Sequence, residues 1–378
     1  MRILYGVQGT GNGHISRARA MAPALKKEGI EVDFLFSGRR SEQYFEMETF
    51  GNFTHKKGLT FVTEEGRVHQ LKTLMRSAPL SFLRDVKQLE LDQYDLILTD
   101  FEPITAWAGR LRKKTVIGLG HQYAFNFPIP QRYGKPHQQL IMDYFAPAKH
   151  RIGLHWYHFD MPILPPIAPV EPAHQGIEDK LILVYLPFET PQKIEQFLAP
   201  FEQFHFVVYH PNAPVSSSSA SSFSPSAPNL SSNASNITWH TPSKTGFHAD
   251  LARCNGVISN AGFELSSEAL QLGCKLLVYP IVGQIEQESN ALALQQIGLG
   301  YTMKKLDNIA LARWLKEGRG VRVRYPDVAG ALARWIKQGD YSRERTEALS
   351  AQLWRKTRFP AQPIYTPEEL NEAYWPQH

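Results

Sequence analysis

Short apolar runs alternate with segments of helical periodicity over residues 1–160, the pattern of strands joined by crossover helices. Strands are predicted at Arg2–Val7, Val32–Phe36, Leu96–Thr99 and Thr115–Leu119. Between the first two, Ile15, Ala18, Ala22 and Leu25 recur at helical spacing and Gly29 stops the helix. Proline then dominates Met161 to Pro172, which predicts a stiff, extended connection. A second series of strands follows at Leu181–Leu186, Phe206–Tyr209, Asn236–Trp239, Gly256–Ser259 and Lys275–Tyr279. The expected organisation is therefore a domain over 1–160, a Pro-rich linker over 161–176, a second domain over 177–340 and a helical tail over 341–378. Residues 214–235 are almost wholly Ser, Ala, Pro and Asn and cannot bury enough apolar surface to order themselves, so a disordered insert is expected there.

Each half carries a glycine-punctuated strand-to-helix turn. The first runs from Ile3 through Gly6, Gly9, Gly11, Asn12 and Gly13 to His14; the second runs from Gly256 through Asn260, Ala261, Gly262 and Phe263 to Glu268. Such turns put backbone N–H groups and a helix N-terminus at the carboxyl end of a parallel strand, where anionic ligands bind. Two of them predict an α/β protein of two Rossmann-like, doubly wound domains facing each other across a cleft, an arrangement that favours an enzyme.

Composition narrows the class. The chain of 378 residues is 43% hydrophobic and 20% charged, ordinary globular values with room for two cores. No apolar run approaches the roughly 20 residues that span a bilayer, and Met1-Arg2 leads straight into a strand rather than a signal peptide. Two cysteines, Cys254 and Cys274, argue against a disulfide scaffold and suit a reducing cytosol. The net charge of +5 is scattered without an aromatic-basic motif, so nucleic acid is not the expected partner.

Three readings compete for Gly9 to His14. A P-loop needs a lysine at the helix start and has none here. A dinucleotide fingerprint ends on glycine where this chain has His14, yet Arg39 and Arg40 after the second strand would suit a 2′-phosphate, so an NADP enzyme stays open. The third reading makes His14 a general base, held neutral by the helix N-terminus. Its plain alternative is a helix cap. Asp100, at the end of Leu96–Thr99, would orient the base, or else cap the turn before Pro103.

In the second half, Glu264 and Glu268 lie one helical turn apart. A carboxylate there either stabilises the helix dipole or accepts hydrogen bonds from a ribose diol; phosphates should meet backbone N–H groups near Gly262. Glu286 and Gln287 follow a strand, and acid beside amide suits a polyhydroxylated sugar.

Together these motifs resemble the GT-B glycosyltransferases, in particular relatives of the peptidoglycan N-acetylglucosaminyltransferase and the UDP-glucuronosyltransferase-like enzymes, in a bacterial and archaeal branch of that superfamily. The resemblance spans both halves. The loop of Gly11, Asn12 and Gly13 with His14 is similar to their N-terminal loop and catalytic histidine. Ala261, Gly262, Phe263 and Glu268 resemble their donor-nucleotide motif, whose glutamate holds the ribose; Glu286, Gln287 and Asn290 resemble the motif that contacts the donor sugar. His121 and Gln122 resemble a cleft pair of the peptidoglycan enzyme and are expected on the acceptor side. Phe247 is the candidate to pack on uracil. The chain departs from the pattern at Leu265, where relatives carry Ser or Thr, and Ser266 is the candidate replacement hydroxyl.

The resemblance implies an inverting, metal-independent transfer from a UDP-sugar to an acceptor hydroxyl on a cell-envelope glycan or lipid, with no cofactor. A UDP-N-acetylglucosamine 2-epimerase-like enzyme and a non-catalytic nucleotide-sugar-binding protein are the alternatives; the latter has no use for His14. Leu71 to Arg76 and Leu80 to Lys87 interleave apolar and basic residues. That suits either a helix lying on an anionic membrane or an ordinary amphipathic helix packed on the sheet. The expected location is the cytoplasm, with peripheral contact to the inner membrane face under the first of these.

Overall fold

The computed structural model describes residues 1–59, 63–64, 67–68, 79–132, 144–168, 176–214 and 234–360. They fall into two compact units, one built from Met1–Val62, Val68–Val170 and Arg324–Phe359, the other chiefly from Glu171–Val323.

The first unit runs β1 (Arg2–Gln8), α1 (Asn12–Lys27), β2 (Glu31–Ser37), β3 (Phe53–Lys56), α2 (Pro79–Gln88), β4 (Leu96–Asp100), α3 (Pro103–Leu111), β5 (Val116–Gly120) and β6 (His150–Gly153). Its sheet is parallel throughout, in the order β3-β2-β1-β4-β5-β6. The four expected strands are present. β3 and β6 are additional edge strands, short and partly exposed, whose mixed composition carries no apolar run. The predicted apolar face of α1 is buried, and Met21 and Arg17 share it. Leu4, Leu35 and Ile97 of the sheet pack with Ile104 and Ala108 of α3 and Val86 of α2. The α3 contact is close enough to require glycine at position 6, since a Cβ there would stand 1.9 Å from Thr105 Oγ1.

The second unit runs β7 (Glu178–Tyr185), α4 (Pro191–Leu198), β8 (His205–Tyr209), β9 (Ile237–His240), α5 (Lys244–Arg253), β10 (Cys254–Ser259), α6 (Phe263–Leu272), β11 (Lys275–Val278), α7 (Ile285–Gln296), β12 (Tyr301–Thr302) and α8 (Asn308–Glu317). Its sheet is again parallel, in the order β9-β8-β7-β10-β11-β12. Ile182, Val184, Phe206, Val208 and Ile258 pack against Trp314 and Leu311 of α8 and Ile194 and Phe197 of α4. Both sheets share one topology. Strand order reverses between β1 and β4 and between β7 and β10, and such reversals open the crevice where α/β sheets bind ligands.

The chain then returns to the first unit through α9 (Val328–Gln338) and α10 (Arg343–Lys356). Arg334 and Lys337 of α9 approach Glu28 at the end of α1, at 3.8 and 4.0 Å. The second unit thus ends near Val323 rather than at residue 340, because the apolar face of α9 is buried in the first unit. The described part of the expected linker, 161–168, is packed as well. Ile163 and Leu164 are fully buried, and Ile163 O accepts from Ser350 Oγ and Trp354 Nε1 of α10 at 2.7 and 2.6 Å. Apolar residues between the prolines give that stretch a core to join. Most of the Ser-rich insert (215–233), the stretch Leu71–Arg76 and the last residues of the tail (361–378) lie outside the described residues.

Cys254 and Cys274 are buried free thiols with their sulfurs 4.0 Å apart. Among the described residues no helix is long and apolar enough to cross a membrane.

Candidate active site

β1 ends at Gln8 and the chain turns through Gly9 to Gly11 into α1. Gly9 N–H donates to Ser37 O at 2.6 Å, and a Cβ at Gly9 would collide with the Tyr44 hydroxyl, so only glycine lets β2 and Tyr44 close on the loop. Gln8 Nε2 donates to Thr10 Oγ1, and Arg39 donates to Asn12 Oδ1 at 3.0 Å. Arg39 is therefore engaged in fixing the loop. Gly11 is the N-cap of α1 and supplies no side-chain cap.

His14 is the third residue of α1 and reaches across to the end of β4. Its Nδ1 lies 2.7 Å from Asp100 Oδ1, in a site where the His14 side chain is 14% exposed and Asp100 is fully buried. Arg17, one turn along the same helix, donates from Nε to Asp100 Oδ2 and from Nη2 to Oδ1, both at 2.7 Å. Burial opposes ionisation of Asp100, but the charge and hydrogen bonds of Arg17, then those of His14, overcome it and hold the carboxyl below its ordinary value. An ionised carboxylate only accepts, so the short contact requires a proton on His14 Nδ1. The lone pair of the neutral ring is then on Nε2, the form of a general base with an orienting acid. Asp100 is thus the orienting partner rather than the cap of α3. That cap is Glu102, whose carboxylate accepts from Ile104 N and Thr105 N.

His121 and Gln122 separate. His121 is buried, donates from Nδ1 to Leu154 O at 2.8 Å, and packs against Phe125, His155 and Trp156. That makes it a core residue where an acceptor contact was expected. Gln122 borders the cluster of His14, Arg17 and Asp100, since a Cβ on Gly120 would meet Gln122 Oε1, Arg17 and Asp100 together.

In the second unit, β10 leads through Asn260, Ala261 and Gly262 into α6. Gly262 is the N-cap and no side chain caps this helix. Phe263 is core, and Glu264 in the first turn is 8% exposed. Ser266, the expected replacement hydroxyl, is fully buried and donates back to Gly262 O at 2.8 Å, so it cannot face a phosphate. Glu268 is largely buried, with His248 Nδ1 3.8 Å from Oε2, and burial pushes its carboxyl up to about 7. Phe247 of α5 meets Tyr185 and Tyr209 edge-on, with ring centroids 5.7 and 5.1 Å apart. It belongs to an aromatic cluster beside the ends of β7 and β8.

The segment from Glu286 to Asn290 opens α7. Gln287 Oε1 accepts from Ile281 N at 2.9 Å, bracing the loop that precedes the helix. Asn290 is fully buried and donates from Nδ2 to Ala261 O at 2.9 Å, tying α7 to the turn before α6. Each of these two residues, expected to contact a sugar, thus commits one end of its amide to bracing a loop, while Glu286 stays half-buried at the second position of α7.

Arg17 escaped sequence reasoning, which sorted α1 only by its apolar face. The signal was available as the i, i+3 spacing from His14.

The chain belongs to glycosyl transferase family 1, whose sequence pattern matches residues 1–317. It is a glycosyltransferase. No curated protein matches it. Among solved structures it is similar to the glycotransferase of kitacinnamycin, at 14% identity over 95% of this chain and 99% of that one, with a TM-score of 0.52. It is also similar to the glycosyltransferase SsfS6 of Streptomyces sp. SF2575 complexed with thymidine diphosphate, at 15% identity, 93% and 96% coverage and a TM-score of 0.53. UGT2 of Phytolacca americana matches at 14% identity, 94% and 95% coverage and a TM-score of 0.50. Similarity at these identities establishes a shared fold, the GT-B architecture of two doubly wound α/β domains.

Proposed function

We propose that this glycosyltransferase moves a sugar from a UDP-sugar to an acceptor hydroxyl, with inversion at the anomeric carbon and without a metal ion. The observation that carries this reading is the His14–Asp100 contact at 2.7 Å, braced by Arg17, which leaves Nε2 as the proton acceptor. His14 Nε2 takes the proton of the acceptor hydroxyl as that oxygen forms a bond to the anomeric carbon. The bond from that carbon to the diphosphate oxygen breaks, and UDP leaves with the electron pair. Attack opposite the leaving group inverts the configuration. Asp100 holds the tautomer and stabilises the imidazolium that forms.

The first turn of α6, capped by no side chain, suits the negative charge of the diphosphate. A similar fold complexed with thymidine diphosphate supports a nucleoside diphosphate as the leaving group. Glu268 is assigned to the ribose diol, Phe247 and its aromatic neighbours to the base, and Gln122 to the acceptor.

The acceptor is proposed to be lipid-linked and met at an anionic membrane surface. On α2, Phe82 and Val86 face the core, whereas Leu80 and Leu83 are 82% and 51% exposed. Packing on the sheet accounts for the first pair and not for the second. Arg84 and Lys87 share that helix, as an interfacial element requires.

The test is incubation with a panel of UDP-sugars and envelope lipid extract, in EDTA, followed by product mass and anomeric configuration. Transfer with inverted configuration is expected. A retained configuration, or activity abolished by EDTA and restored by a divalent ion, contradicts the proposal.

A further inference from the structure

Buried polar atoms in folded proteins are nearly always hydrogen-bonded, because a buried oxygen left without a partner loses its contact with water and gains nothing in return. In the second unit, the buried side-chain oxygens that find no partner among the described residues are Ser259 Oγ, Asn260 Oδ1 and Gln284 Oε1. Ser259 ends β10, Asn260 follows it, and Gln284 lies on the loop after the neighbouring strand β11, so all three sit at the carboxyl ends of paired strands. This is the ligand-binding edge of the sheet, next to the reversal of strand order between β7 and β10.

The rest of Asn260 is committed. Its backbone N–H donates to Tyr185 O and its backbone carbonyl accepts from Gly262 N. Its side-chain Nδ2 donates to Tyr279 O at 2.9 Å, which fixes the orientation of the amide and leaves Oδ1 over. The residue is only 7% exposed, so bulk water does not serve that oxygen freely. Gln284 is the N-cap of α7 but makes no side-chain cap bond. Its backbone N–H donates to Ile281 O and its carbonyl accepts from Glu288 N, again leaving a buried side-chain oxygen.

The chemistry of these atoms selects among ligand groups. An amide oxygen only accepts, and so do the oxygens of an ionised diphosphate. The phosphates suit the N–H groups at the start of α6, but they cannot satisfy Asn260 or Gln284. Sugar hydroxyls can. Of Gln287 and Asn290, expected to make such contacts, Gln287 Oε1 is taken by Ile281 N, and Asn290 Nδ2 is taken up in donating to Ala261 O.

We propose that Asn260 Oδ1 and Gln284 Oε1 accept hydrogen bonds from hydroxyl groups of the donor sugar and select that sugar by its hydroxyl pattern. The proposal rests on the nucleotide-sugar reading above. It adds two specificity residues that act on the sugar and not on the nucleotide.

The experiment is calorimetric titration of wild type, Gln284→Met and Asn260→Leu with UDP and with the UDP-sugar that wild type binds most tightly. Each variant should bind the UDP-sugar about three- to tenfold more weakly, the scale of one neutral hydrogen bond. UDP itself should bind within twofold of wild type. A donor lacking the contacted hydroxyl should lose affinity for wild type and lose none further for the variant. Thermal unfolding accompanies the titrations, and Gln284→Met, at a half-buried position, carries the test if Asn260→Leu does not fold. Equal losses for UDP and UDP-sugar overturn the proposal, because the residues then only shape the loops. Unchanged affinity for both also overturns it. If wild type binds neither UDP nor any UDP-sugar, the nucleotide-sugar reading itself has failed.

Discussion

His14 Nδ1 and Asp100 Oδ1 meet at 2.7 Å although they lie 86 residues apart, and the same Asp100 oxygen receives Arg17 Nη2 at the same distance. One carboxylate therefore serves an imidazole ring and a buried guanidinium together. Parallel pairing of β1 with β4, which sets Val7 opposite Asp100, brings the two chain segments side by side.

Asp100→Asn should lower stability, since it leaves the buried Arg17 guanidinium without its counter-charge. In the protein that folds it should lower turnover about 10²–10⁴-fold, the range for disabling a general base, because the ring loses its fixed tautomer. Steady-state kinetics on the purified variant checks this, and near-normal turnover would remove Asp100 from the mechanism.

Arg17→Met should cost about 3–5 kcal/mol of stability, since it leaves a buried carboxylate with only His14 for a partner. The sign with pH follows from Asp100, whose native pKa lies below its ordinary 3.8. Its contribution is present above that value and is lost as pH falls through the native one. The stability gap between wild type and Arg17→Met, measured by urea unfolding, should thus narrow in acid. A gap that stays constant or widens in acid contradicts the charge account.

Glu268 behaves in the opposite sense. Its carboxyl ionises near 4.5 unfolded and about 7 in the native protein, raised by burial. Its contribution to stability is therefore fully present below about 4.5 and lost as pH rises through 7. Glu268→Gln should raise the melting temperature at pH 8 and change it little at pH 4.5, by scanning calorimetry at both. The same variant should weaken UDP by roughly 1.5–3 kcal/mol, the scale for losing hydrogen bonds to a charged group. Unchanged UDP affinity in a folded variant would sink the ribose assignment.

For the membrane, wild type should cosediment with anionic liposomes at low salt and dissociate at high salt. Changing Leu80 and Leu83 to serine should release the protein without lowering its melting temperature. Phe82 is not part of that surface, because it packs into the core of the first unit. Wild type that ignores anionic liposomes would favour a soluble acceptor.

The sheet cores were legible because parallel strands buried on both faces read as continuous apolar runs. The edge strands β3 and β6 were not, since an exposed edge needs no such run. The return of α9 to the first unit was hidden for another reason, as amphipathic periodicity names a buried face but not what buries it. In the site, His14, Asp100 and the α6 turn stood out as chemistry-bearing residues at strand ends. Motif spacing could not distinguish a ligand contact from a strut: Gln287 and Asn290 lie on the expected helix yet bond to backbone. Asn260 and Gln284 carry no motif of their own and stand out only in the structure, where their side-chain oxygens, with Ser259 Oγ, are buried without a partner among the described residues.

The most direct test of the account is the turnover of His14→Ala, measured together with its affinity for UDP. His14 is assigned to the acceptor proton and to no part of the nucleotide. Turnover should fall about 10²–10⁴-fold, while the calorimetric Kd for UDP stays within twofold of wild type. Turnover close to that of wild type in the folded variant would contradict the assignment of His14 as the base, and with it the mechanism built on its contact with Asp100.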